Sequence, residues 1–353
     1  MIALPIARAC AVLFAALSFV APPGKAVAQE AQMSIMTGSP SGTYIQFGRD
    51  LSGLMETCGQ TMEVVESAGS LENFLAVRQR PNTQFGIVQS DVLEYMRTFA
   101  AEDQAIARAV AGVRIAVPLY DEELHILAKA DIETLGDLAG KRVAIGVENS
   151  GTYLTSSLIL SLAGIEPAER VLLNPAEALP QLQDGQIDAL VYVAGAPATL
   201  FQDESIDGDT LHLVPITDEV LRSVYSWSTI PEGTYAFQTG PLDTVAVKAV
   251  LMTYDYQPRR NAYHRSSCAA VSEMSHQILT RLDQLKESGH PKWKSVDLAD
   301  VPPGWDIGQC VNAGIAPDYV SNCTPPATAT TTPAPESEAN SAYRRNICAV
   351  MGC

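Results

Sequence analysis

Signs of chemistry are scarce in this sequence. Of 353 residues only five are histidine, and no His-Glu-x-x-His pairing or P-loop lysine occurs. Gly38 to Gly42 has the outline of a nucleophile elbow, but Pro40 stands where Gly-x-Ser-x-Gly needs its serine. His125 and His212 lie in apolar, strand-like runs and read as core residues rather than bases. The expectation is a protein that is not an enzyme and carries no cofactor or catalytic metal. Positive charge is also short: 23 Lys and Arg face 40 Asp and Glu, a net charge of −17. Such a surface repels nucleic acid and anionic lipid, which makes both poor partners. Past the N-terminus no run approaches the ~18 apolar residues of a membrane span.

The N-terminus itself reads as a secretion signal over residues 1–28. Arg8 supplies the positive charge, the run from Ala9 to Ala21 is mostly apolar, and Ala26-Val27-Ala28 fits a small-x-small cleavage site. Cleavage near Ala28 predicts a periplasmic protein. It also removes Cys10 and leaves Cys58, Cys268, Cys310, Cys323, Cys348 and Cys353. An even set in an exported chain favours disulfides over metal, since no Cys-x-x-Cys is present. Proximity alone suggests Cys310–Cys323 and Cys348–Cys353.

From residue 33 to 230, short β-rich runs alternate with amphipathic helical patterns, the mark of parallel α/β units. Strands are expected at Met33–Met36, Met62–Val65, Phe85–Val88, His125–Ala128, Arg142–Val147, Arg170–Leu173, Ala189–Val193 and Leu211–Pro215. Helical stripes appear at Leu51, Leu54 and Met55, then at Leu71, Phe74 and Leu75, then at Leu154, Leu158, Ile159 and Leu162. Residues 242–288 read as helical, with Val245, Val247, Val250 and Leu251 on a buried face. From Pro291 the character changes, and Thr324 to Ala342 is a Thr/Pro-rich linker by composition.

The informative positions are strand-to-helix turns. Ser-Gly-Thr-Tyr occurs twice, at Ser41–Tyr44 and Ser150–Tyr153, each time leaving a strand and opening a helix. Glycine permits close backbone approach, and Ser or Thr can cap the helix or bond a ligand. The free amide hydrogens of a first helical turn favour an anion. In open α/β sheets, ligands collect at the carboxyl ends of the strands, where these turns fall. Ser67 to Asn73, Gln89-Ser90-Asp91 and Gly195-Ala196-Pro197 follow other strands in the same way. Asp91 reads first as a helix cap, with contact to a ligand amine as the alternative.

These turns belong to a longer ordered set. Thr37-Gly38 and Ser41-Gly42-Thr43-Tyr44 are followed by Glu66 through Asn73, by Gly86 through Asp91, and by Leu119-Tyr120 with Glu122 and His125. Asp137 through Gly146, Ser150-Gly151-Thr152, Asp184 through Ala189 and Ile230 through Tyr235 complete it. Over roughly residues 33 to 255 the chain thereby resembles the TAXI group of extracytoplasmic receptors, the solute-binding subunits of TRAP transporters. The resemblance implies a type II periplasmic-binding-protein fold whose lobes close on a ligand. It also implies membrane subunits driven by an ion gradient, and ligands that are small organic acids or amino acids, glutamate prominent among them. Ser39-Pro40, Ile45-Gln46 and the cysteine-rich C-terminal region depart from the family pattern.

The reading is therefore an α/β, two-lobed fold with a cysteine-containing C-terminal extension. Residues 29–118 plus 235–290 are expected to form lobe 1, 119–234 lobe 2, and 291–353 the extension. The chain should cross near Val117-Pro118 and return near Trp227 to Pro231. Thr37, Ser41, Gly42, Thr43, Tyr44, Ser70, Asn73, Gln89 and Ser90 should line the cleft from lobe 1. Ser150, Gly151, Thr152, Gly195 and Tyr225 should face them from lobe 2, with Lys129 or Arg222 as possible partners of a carboxylate. A monomer that hands a small molecule to TRAP membrane subunits is expected. A ligand-sensing domain serving a membrane sensor kinase is the alternative.

Overall fold

The computed structural model describes residues 33–99 and 102–323. The expected signal segment, the Thr/Pro-rich linker, and Cys348 with Cys353 lie outside the described residues. Along the first part of the chain, β1 (Met33–Met36), α1 (Thr43–Glu56), β2 (Met62–Val65), α2 (Ser70–Gln79) and β3 (Thr83–Gln89) succeed one another. Then come α3 (Ser90–Phe99), α4 (Gln104–Ala111) and the long β4 (Val113–Lys129). Next are β5 (Arg142–Ala144), α5 (Gly151–Leu162), β6 (Glu169–Val171), α6 (Pro175–Gln183) and β7 (Ala189–Ala194). The chain continues with β8 (Leu211–Leu213), α7 (Glu219–Val224), β9 (Ser226–Ile230), β10 (Leu242–Tyr254), α8 (Ala262–Ser288) and α9 (Gln309–Ile315).

The main strand order is β2-β1-β3-β10-β4-β7-β5-β6, with β8 beside β4 and β9 beside β10. β1 pairs in parallel with β2 and β3, and β5 pairs in parallel with β6 and β7. Two parallel half-sheets are thus joined by the antiparallel pair β4 and β10, which runs through both. β1 and β3 are buried along their whole lengths, as expected for strands covered on both faces. Ile35, Phe47, Leu51, Phe85, Leu251, Met274 and Ile278 belong to the core around the first half-sheet. Leu124, Ile126, Val143, Val191, Val214 and Val245 belong to the core around the second. The architecture is an α/β fold of two lobes built around one mixed sheet.

Two expectations give way to the structure. Residues 242–288 are not one helical region: Leu242–Tyr254 is a strand, and the helix begins at Ala262. Thr244, Val245, Val247, Val250 and Thr253 are β-branched, and pairing with β3, β4 and β9 satisfies the strand's backbone where a helix would leave those neighbours unpaired. The return crossing is not near Trp227 to Pro231, because β9 pairs with Leu242–Ala246 inside the second half-sheet. Instead β10 itself crosses at Val247–Lys248, opposite Asp121 and Glu122 of β4. Part of the C-terminal extension packs onto the first lobe: Trp293, Val296, Leu298, Val311 and Ile315 sit in its core.

The cysteines are joined as Cys58–Cys323 and Cys268–Cys310. Proximity in sequence fails here because α9 packs along α8 and brings Cys310 beside Cys268, leaving Cys323 to meet Cys58 just past α1.

Candidate functional site

Every parallel strand of both lobes ends toward the same gap. The turns after β1 (Gly38–Pro40), β2 (Glu66–Gly69) and β5 (Val147, Ser150), the start of α6 (Asn174-Pro175) and the end of β7 (Tyr192–Ala194) line a cleft of 510 Å³. Gln89 and Glu122 close its floor from β3 and β4.

The lobes touch across this gap. Gly69, with φ of 128°, precedes α2, and a Cβ there would lie 3.4 Å from the Gly151 amide nitrogen. The Glu72 amide donates to the Asn149 carbonyl of the other lobe at 3.2 Å. A Cβ on Gly151 would run into Gln89 Oε1 and come 2.8 Å from Ser70 Oγ. Gly151 is therefore fixed by close approach, and Gly69 by its positive φ.

The repeated tetrapeptides do different work. In the first, Gly42 is the N-cap of α1 and no side chain caps the helix. Tyr44 Oη donates to Glu122 Oε2 at 2.7 Å and lies 3.3 Å from Ser70 Oγ. In the second, Ser150 caps α5 by accepting from the Tyr153 amide at 3.0 Å, and Thr152 Oγ1 accepts from the Val193 amide at 3.2 Å. Tyr153 packs against the second lobe's core.

Eight expected residues line the cleft: Gly42, Thr43, Tyr44, Ser70, Gln89, Ser150, Gly151 and Thr152. Six stand off it. Thr37 is fully buried and its hydroxyl donates to the Val65 carbonyl, while Ser41 is exposed one residue before the α1 cap. Asn73 is also buried; its amide group donates to the carbonyls of Thr37 and Ile87 and its oxygen accepts from Ser67 Oγ, so it braces the turns from behind. Gly195 packs on Tyr120 and Lys292. Ser90 and Tyr225 line a second cavity beyond the cleft wall. Lys129 pairs with Asp188, and Arg222 pairs with Glu219 and lies over the Trp227 ring, so neither reaches the cleft.

Glu66, Glu122, Asn174 and Tyr192 line the cleft without having been expected there. The available signal was a row of acids, Asp121 to Glu123, inside an otherwise apolar strand. Burial pushes the Glu122 carboxyl from 4.5 up to about 8, against the hydrogen bonds it accepts from Tyr44 and Gln89. Beside it, Glu123 is paired with Lys292 Nζ at 2.8 Å and accepts from the Ala196 amide at 2.7 Å. His125 is neutral in the core: burial lowers it to about 4, and its nitrogens lie 2.9 Å from the Glu123 carbonyl and 2.7 Å from Tyr235 Oη. His212 Nε2 lies 2.8 Å from the Ile132 carbonyl.

Among the described residues that line the cleft none is Lys, Arg or His, whereas Glu66, Glu72 and Glu122 are there. Polar recognition there falls to the helix starts, the hydroxyls of Thr43, Tyr44, Ser67, Ser70 and Tyr192, and those carboxyls. Among the described residues no group of three His, Cys, Asp or Glu side chains could hold a metal, and no helix is long and apolar enough to cross a membrane.

Among solved structures, the chain is similar to a Bordetella bronchiseptica protein at 15% identity, over 89% of this chain and 97% of that one, with a TM-score of 0.47. It is similar to MatC from Rhodopseudomonas palustris, solved with bound malate, at 17% identity over 75% and 94% of the two chains (TM-score 0.44). It is also similar to ArtJ, the arginine-, lysine-, histidine-binding protein of Geobacillus stearothermophilus, at 11% identity over 77% and 97% (TM-score 0.44). A sequence model of the NMT1-like family matches residues 35–293. That match spans the two half-sheets and every turn that lines the cleft, and the chain belongs to the NMT1-like family.

Proposed function

We propose that this protein is an exported, periplasmic solute-binding subunit of a TRAP-type transporter. It captures a small carboxylate or amino acid, glutamate-like in character, and delivers it for ion-gradient-driven uptake. One observation carries the reading: Gly42–Tyr44 of one lobe and Ser150–Thr152 of the other line a single cleft. The transporter class rests on the TAXI resemblance of the ordered motifs.

A ligand carboxylate in this cleft meets amide hydrogens and hydroxyls rather than a guanidinium. Each helix start contributes about 0.3–1 kcal/mol when exposed and up to about 2 when partly buried. Three of them, at α1, α2 and α5, supply part of the roughly 8 kcal/mol of a micromolar ligand, and direct hydrogen bonds supply the rest. Glu66 offers a place for an ammonium group. That favours an amino acid over an organic acid that has no ammonium group.

A thermal-shift screen over organic acids and amino acids, followed by calorimetry on the hits, tests the capture. The proposal expects a saturable hit from this set, and a screen with none contradicts it. The partner is tested separately by crosslinking in intact cells. Recovery of TRAP membrane subunits is expected, and recovery of a sensor kinase would move the protein to the sensory alternative.

A further inference from the structure

We infer that a second cavity between the lobes binds an organic ammonium with an aromatic or branched apolar body. This cavity, of 910 Å³, lies beyond the wall formed by Gln89, Ser90 and Asp91 and is larger than the cleft. Asp91 and Trp305 contribute from the first lobe, Leu158, Leu162 and Tyr225 from the second, and Lys248 from the crossing strand. Its walls are largely apolar, and two of its rim residues remain in water: Leu162 is 43% exposed and Val224 59%. Apolar side chains gathered around a concave surface stabilise whatever apolar body covers them.

The charges select the sign of the guest. Four acids line the cavity, Asp91, Glu94, Asp121 and Asp300, against two bases, Arg97 and Lys248. Both bases are already paired: Arg97 with Glu94 at 2.7 Å, and Lys248 with Asp121 at 2.7 Å and Asp300 at 2.6 Å. Arg97 also lies over the Trp305 ring. Among the described residues Asp91 has no such cation. Its carboxylate accepts from Thr155 Oγ1 at 2.7 Å and from the Val92 amide at 2.8 Å, both neutral donors. Burial raises its pKa to about 6, so at neutral pH it remains an ionised carboxylate that gains from a neighbouring cation. An ammonium guest supplies that cation, and the Tyr225 ring offers it an aromatic face. A carboxylate guest would meet only repulsion.

Occupancy is coupled to the cleft through one shared wall. Gln89 lines the cleft and Asp91 the cavity, and Thr155 Oγ1 bonds Asp91 while lying 3.4 Å from Gln89 Oε1. Because both lobes form the cavity, a guest there holds them in their present contact. The inference is independent of the cleft's ligand and of the transporter assignment.

The test uses the full chain and three probes of one shape: 2-phenylethylammonium, 2-phenylethanol and phenylacetate. Calorimetry should show saturable binding of the ammonium, with the alcohol weaker by about tenfold, the size of one lost charge-assisted hydrogen bond, and phenylacetate weaker still. Asp91→Asn should weaken the ammonium by a similar factor. Leu162→Arg, at an exposed position that tolerates change, should do so by placing a cation on the rim. Leu172→Ser, at an exposed position outside both the cleft and the cavity, should leave it unchanged. Absence of ammonium binding, equal binding of ammonium and alcohol, or indifference to both cavity substitutions would overturn the inference.

Discussion

Replacing Glu122 by glutamine should change how stability depends on pH, in a direction opposite to most carboxyl groups. The folded protein raises this group from 4.5 to about 8, chiefly by burial. Between those values the folded state holds a proton that the unfolded chain has released. The contribution is therefore fully present below 4.5, declines as pH rises, and is lost above 8. Its slope is at most about 1.4 kcal/mol per pH unit, with a ceiling of roughly 5 kcal/mol across the window. Glutamine is neutral throughout and can still accept from Tyr44. The variant should therefore gain on the wild type between pH 5 and 8, by roughly 2 °C in unfolding midpoint per kcal/mol for a chain of this size. Asp91 and His125 titrate in both proteins and largely cancel in the comparison. Midpoints measured by circular dichroism in matched buffers at pH 5, 6, 7 and 8 give the difference directly. A constant offset between two parallel profiles would refute the reasoning, whatever its size.

Other substitutions separate stability from binding. Gly151→Val, whose side chain would run into Gln89 and Ser70, should hold the lobes apart. It should weaken ligand affinity by at least about tenfold, seen by calorimetry together with a larger radius of gyration in scattering. Lys292→Met leaves Glu123 without its cation at a site where both side chains are about 10% exposed. It should cost about 3–5 kcal/mol in urea unfolding, and a loss below 1 kcal/mol would mean the pair is not buried in solution. Cys268→Ser with Cys310→Ser opens a loop spanning 42 residues and should cost about 4 kcal/mol by chain entropy. An unchanged unfolding midpoint under reducing and oxidising conditions would show that this disulfide does not form.

The cleft was largely legible because its lining comes from local turn chemistry. Gly42, Ser70 and Gly151 open helices directly after strands, and that pattern is visible in any one sequence. What the pattern could not give is the direction in which consecutive residues face. Gln89, Ser90 and Asp91 follow one another in the chain, yet the first faces the cleft and the next two the cavity behind it. Ser41 and Thr37 fall out for the same reason: the helix begins at Thr43, which leaves one exposed and ties the other to Val65. Glu122 was hidden between Asp121 and Glu123, where three acids in a row suggest a solvated edge. The pairing of β4 with β10 instead buries Glu122 and Glu123 and leaves only Asp121 partly exposed. β10 was misread because its valines satisfy both a helical and a strand period, and its partners lie far away in sequence. The disulfide pairings are likewise tertiary facts, with separations of 265 and 42 residues.

The account's most direct test is a crystal structure of the protein with a hit from the organic-acid and amino-acid screen. One ligand is expected in the cleft, its carboxylate within hydrogen-bonding distance of amide hydrogens from both the Thr43–Tyr44 and Gly151–Thr152 turns. A ligand held by one lobe alone, or bound outside the gap between those turns, would contradict it.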